Sequence, residues 1–215
     1  MSKLEVDAIE PQSGTTLTIG ASGDSVNLGS GASLTSPGLT LSDNILFNTA
    51  SKGIYLGVTS ATASNLLDDY EEGTWTPVYS DGTNNSNAMS TQVGKYVKIG
   101  KYVSVTGICQ QTSATSNGLT GAQSLRISGL PFTSSSDLNR CCGSVATEVG
   151  AYNAPSERPT RLRIGSSTNE MIPQYDSGGS GSNTTSFEKN MLCSMIQISG
   201  NNSRMYFQMS YETDA

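Results

Sequence analysis

Between residues 15 and 60 the apolar positions come in short alternating pairs. Leu17 and Ile19, Val26 and Leu28, Leu39 and Leu41, Ile45 and Phe47, and Ile54 and Leu56 are each separated by a single residue. Mostly Thr, Ser, Asn and Gly surround them. A period of two predicts strands with one apolar and one wet face. Each piece carries only two or three apolar residues before a Gly-Ser turn, and two-stranded pieces of this size are marginal in water. The segment is therefore expected to associate with copies of itself, so that the apolar faces meet on a common axis. We read residues 15–60 as an intertwined, trimeric β-fibre stalk with a core of Leu17, Ile19, Val26, Leu28, Leu39, Leu41, Ile45 and Phe47. Residues 1–14 form a leader in which Leu4, Val6 and Ile9 alternate loosely and Pro11 stops any helix.

The pattern changes over residues 61–74, ATASNLLDDYEEGT. Leu66, Leu67 and Tyr70 fall on one side at helical spacing. Thr62 or Ser64 can cap the start and Gly73 suits a C-terminal stop. This predicts a short neck helix.

From residue 75 to residue 215 the pattern is all β. Residues 92–111 read as a hairpin turning near Gly100. Strand-like runs follow at 124–132, 141–149, 160–165, 170–175, 190–199 and 204–212, with Asn201, Asn202 and Ser203 as the last hairpin turn. Short strands at regular spacing predict a β-sandwich head of jelly-roll type. About 140 residues suffice for a real core. The run DSGGSGSNTTS at 176–186 reads as a loop, because strand-like sequence resumes after it.

Composition sharpens this reading. Hydrophobic residues make up 35 % and charged residues 14 %, against about 45–50 % (Gly included) and about 25 % in ordinary globular chains. The 23 Gly narrow the first gap without adding packing surface. The result is a neutral polar surface, large relative to its core. The net charge is −6, and the twelve Lys and Arg form no basic run, so nucleic-acid binding lacks its electrostatic footprint. No apolar run is long enough to span a bilayer. The segment MSKLEVDAIEPQSG has no signal-peptide core, so export by the general secretory route is not expected.

Two stretches carry a resemblance. AIEPQSGTTLTIGASGD (8–24) is similar to repeated segments of fibre proteins. GIYLG, then LLDDYEEGTWTPV (66–78) and VGKYVKIGKYVSVTG (93–107), resemble the junction into a C-terminal head, and RISGLPF (126–132) fits the same pattern. In combination they resemble tail-fibre-like structural proteins of tailed bacteriophages, especially of marine and cyanobacterial hosts. Residues 133–215 carry no such likeness. The resemblance implies a homotrimeric fibre made in the host cytoplasm and located on the virion. Its head would contact a glycan or protein of the host surface. The leader, through Leu4, Val6, Ile9 and Pro11, would attach it to another virion protein of the tail, baseplate or capsid. A capsid-attached head fibre or decoration protein is the alternative.

Candidate chemistry is sparse. Histidine is absent, which removes the commonest general base and metal ligand and any Ser-His-Asp triad. GASGD and GSGAS lack the Gly-Lys-Ser/Thr ending of a phosphate loop. Asp68, Asp69, Glu71 and Glu72 are neighbours on one predicted helix, not the opposed pair that glycoside hydrolysis needs. They read as solvated surface, with a cation site in a trimeric neck as the other option. No enzyme activity, cofactor or metal is expected. Cys109, Cys141, Cys142 and Cys193 show no metal-ligand spacing. Buried free thiols and a disulfide both remain open. Trp75 reads as core or subunit packing, with sugar stacking as the alternative. Receptor-binding candidates are Tyr152 with Asn153 and Tyr175 with Asp176, where a ring could cover a sugar face and the polar partner could fix hydroxyls. Arg161 and Arg163 share one strand face and could grip an anionic group.

Overall fold

The computed structural model describes residues 9, 13–14, 19, 25–30, 33–38, 40–41, 44–112, 118–137, 141–148, 157–177, 187–196 and 204–214. The chain divides into two units, Met1–Leu46 and Phe47–Ala215.

In the first unit the described residues form no helix or strand, and every one is exposed. Ile19, Val26, Leu28, Leu41 and Ile45 all face solvent, and Leu46 is 88 % exposed. Leu4, Val6, Pro11, Leu17 and Leu39 lie outside the described residues; Ile9 is exposed. The alternating pairs of this unit thus find no partner strand within one chain among the described residues.

The second unit is built from twelve strands among the described residues: β1 (Ile54–Tyr55), β2 (Leu66–Leu67), β3 (Tyr70–Trp75), β4 (Val78–Ser80), β5 (Met89–Ile99), β6 (Tyr102–Gln111), β7 (Arg126–Ser128), β8 (Cys141–Thr147), β9 (Arg161–Ile164), β10 (Glu170–Ser177), β11 (Phe187–Asn190) and β12 (Met205–Glu212). β1 and β2 pair with each other. The remaining ten form one antiparallel sheet in the order β3-β5-β6-β12-β8-β9-β10-β7-β4, with β11 added to β10. The two ends of that path, β3 and β4, are separated in sequence only by Thr76 and Pro77. The sheet therefore curls, and its inner faces share one core.

Period-two patterning builds that core. β12 places Met205, Phe207, Met209 and Tyr211 inward and Tyr206, Gln208 and Glu212 outward. Val103 and Val105 of β6, Leu162 and Ile164 of β9, and Ile127 and Met171 are fully buried and belong to the same cluster. Each such side chain contributes about 1.5–3 kcal/mol.

One inward row explains the hairpin β5–β6. Trp75, Gly94, Gly107 and Phe207 are successive cross-strand partners on β3, β5, β6 and β12. The indole lies over Gly94 and the phenyl ring over Gly107, with ring centroids 5.8 Å apart. A Cβ at Gly94 would come within 2.5 Å of Trp75 Nε1, and one at Gly107 within 2.6 Å of Phe207. The two glycines are the space that the two rings occupy.

Three expectations are corrected. No neck helix forms over 61–74: a 3-10 turn spans Ala63–Asn65, and β2 and β3 follow. Thr62 makes no side-chain cap, and Tyr70 to Trp75 pair residue by residue with Ile99 to Gly94. A long, half-buried ladder outweighs the weak helical spacing of three residues. The run 190–199 is not one strand either. β11 ends at Asn190, and Met191, Cys193 and Ile196 enter the core through an irregular segment with a 3-10 turn. Nor do β11 and β12 form a final hairpin, because β11 pairs with β10 and β12 lies between β6 and β8. Residues 201–203, read as its turn, lie outside the described residues.

Candidate surface for recognition

The strand β9 presents Arg161 and Arg163 on its outer side, as alternation predicts. Arg161 meets Asp176 at 2.7 Å and Glu188 at 3.2 Å, and Thr160 Oγ1 donates to Asp176 at 3.5 Å. Two of the sequence candidates, Arg161 and Asp176, are thus brought together. They are brought together as an ion pair, and two carboxylates already occupy the guanidinium. Arg163 makes no ion pair among the described residues; its cross-strand neighbours are Cys142 and Ile172. Tyr175, a receptor-binding candidate, is a correction: it lies within β10 and is buried. Its ring cannot cover a sugar from there. Tyr152 and Asn153 lie outside the described residues.

Three of the four acids, Asp69, Glu71 and Glu72, go to separate partners. Asp69 pairs with Lys98, whose ammonium is buried on the inner side of β5 and sits 5.4 Å from the centre of the Phe132 ring. Glu71 accepts from the Tyr96 hydroxyl, and Glu72 from the Tyr70 hydroxyl at 2.9 Å. Among the described residues no cluster of three His, Cys, Asp or Glu side chains could hold a metal ion. Trp75 is 93 % buried in the core, against Phe207. All four cysteines are free; Cys109 and Cys193 are buried and Cys142 is exposed. Burial pushes the Cys193 thiol up to about 11 and the Cys109 thiol further.

The surface that residue-by-residue reading passes over is the outer side of β3, β5, β6, β12 and β8. Ladder registers arrange it in rows. One row is apolar: Val93, Ile108, Tyr206 and Ala146. The next is polar: Thr74, Lys95, Thr106, Gln208 and Ser144. A third contains Val97, Ser104 and Ser210, with the two serine hydroxyls 3.4 Å apart. The last is apolar again, Tyr70, Ile99 and Tyr102, ending at Glu212. Three shallow depressions of about 470, 460 and 380 Å³ lie side by side on this face, and Thr106 lines all of them. At one corner Arg204 joins Glu148 at 3.1 Å and Gln110 at 2.8 Å, and Tyr206 donates to Glu148 at 2.7 Å. This network holds the Tyr206 ring in place at the margin of the groove.

A signal for this face exists in the sequence. Gly94 and Gly107 lie opposite each other in the hairpin, and a side that carries glycines under large rings must be the inner one. Val93, Lys95, Val97 and Ile99 are thereby assigned to the outside.

No protein-family model matches this chain. No curated protein matches it. No solved structure matches it either.

Proposed function

We propose that the chain is a homotrimeric fibre protein of a tailed bacteriophage. It attaches to the virion through its N-terminal leader and recognises the host surface through its head. The observation that carries this reading is the exposure of the alternating apolar residues. Ile19, Val26, Leu28, Leu41, Ile45 and Phe47 all face solvent in a single chain. Apolar faces repeated along tens of residues and left uncovered are stabilised by identical copies around an axis. The resemblance of residues 8–24, 66–78 and 93–107 to fibre segments agrees with this. The curled ten-stranded sheet is then the head, a β-sandwich of jelly-roll type. Three heads on each fibre would act at high effective concentration, so that weak single contacts suffice.

Antibody against the head, applied to intact particles and viewed by electron microscopy, tests the reading. Label on the tail fibres is the expected result. Label confined to the capsid shell would favour a decoration role, and particles without label would exclude a virion component.

A further inference from the structure

We infer that the outer face of β5, β6, β12 and β8 is a saccharide-binding groove that selects acidic glycans. The inference rests on the reading of the chain as a host-recognising fibre and gives that reading a site and a ligand class.

Three features of the face support it. The first is shape: the three depressions adjoin one another across five strands, β3 included, which suits an extended chain better than a compact ligand. The second is chemistry along the middle. Lys95, Thr106, Gln208 and Ser144 stand in one cross-strand row, at the strand spacing of about 4.8 Å, and none of them hydrogen-bonds another side chain among the described residues. A row of unspent hydroxyl, amide and ammonium groups matches the hydroxyls and carboxylates of a sugar chain. The third is the flanks, where Val93, Ile108 and Tyr206 offer apolar surface to the C–H faces of sugar rings.

A second copy of this chain is the rival occupant, and the layout argues against it. Interfaces between proteins place their apolar residues at the centre, deplete charge there and put polar groups at the rim. Here the order is reversed: the polar row with Lys95 runs between two apolar margins. Charge sets the ligand class. Lys95 is exposed and has no carboxylate partner among the described residues; Glu72, which lines the same depression from β3, accepts the Tyr70 hydroxyl instead. An anionic group on the glycan would sit at Lys95.

The test uses the full chain on a printed array of acidic and neutral bacterial oligosaccharides, with Lys95→Glu and Thr106→Arg as variants. Both positions are exposed, so each variant keeps the melting temperature and mass of the wild type. The wild type is expected to retain acidic over neutral saccharides. Lys95→Glu is expected to lose the acidic ones by about tenfold or more, the loss of one charge-assisted contact. Thr106→Arg, which fills the groove, is expected to lose both kinds. Retention of no acidic saccharide, or equal retention by all three proteins, would overturn the groove. A fall in mass of either variant would overturn it in favour of an interface between copies. If the groove fails on the array while the wild-type chain and Lys95→Glu both still block particle adsorption to host cells, the fibre reading survives without it. If the wild-type chain fails to block adsorption, the fibre reading fails on its own account.

Discussion

Asp81 is the most heavily bonded acid among the described residues. Its carboxylate accepts the backbone N–H of Asn84 at 2.7 Å, of Thr83 at 2.8 Å and of Thr120 at 2.9 Å, and the Asn84 amide at 3.1 Å. It ties the turn after β4 to the segment before β7. The backbone donors of Asn84 and Thr120, foremost, hold its carboxyl well below the ordinary value of 3.8. Asp214 is lowered in the same way, by the Ser135 hydroxyl at 2.5 Å and the Ser136 N–H at 2.8 Å. A depressed carboxyl contributes stability above its unfolded value and loses it as pH falls through the folded one. Thermal midpoints should therefore be level from neutrality to about pH 5 and fall below about pH 4. Asp81→Asn should have a lower midpoint at pH 7 and a shallower acid fall, both read by circular dichroism. The cysteines make a second prediction at this scale. Cys142 should react with an aromatic disulfide reagent in the native protein, while Cys109 and Cys193 react only after unfolding. Mass spectrometry of the labelled peptides separates the three.

At the scale of elements, the row Trp75-Gly94-Gly107-Phe207 locks four strands in register. Gly107→Ala pushes a methyl into the Phe207 ring, and Gly94→Ala does the same against Trp75. Each should cost about 1–3 kcal/mol, measured as a lower urea midpoint at unchanged slope. Most of the strands were legible in the sequence. β6, β9, β10 and β12 stand where alternation predicts, because each has one clean apolar side. The neck helix was misread because Leu66, Leu67 and Tyr70 happen to fit a helical spacing, and a ladder with β5 cannot be seen locally. β5 itself was legible as a strand, but its face is marked only by Gly94 opposite Gly107. It buries Lys98 and exposes Val93, Val97 and Ile99, so hydrophobicity points the wrong way. Lys98 is tolerated inside because Asp69 and the Phe132 ring receive it. The outer groove was not legible for another reason: the β5–β6 hairpin meets β12 and β8 from far along the chain, and only register brings their residues into rows. Arg161 and Arg163 were legible as a pair on one face. That two acids neutralise the first was not, since Glu188 arrives from β11.

At the scale of the whole molecule, the two units make opposite statements. Phe47–Ala215 buries an apolar core of its own. The described residues of Met1–Leu46 bury nothing, although their apolar positions alternate as strands do. Val26→Asn with Leu28→Asn should leave the monomeric sheet folded and abolish association, seen as unchanged near-ultraviolet circular dichroism with a lower mass. The account stands or falls on that association. Light scattering of the full chain at several concentrations measures it most directly. The account predicts a mass three times the 22.5 kDa of one chain, independent of concentration. A monodisperse species of 22.5 kDa would contradict it.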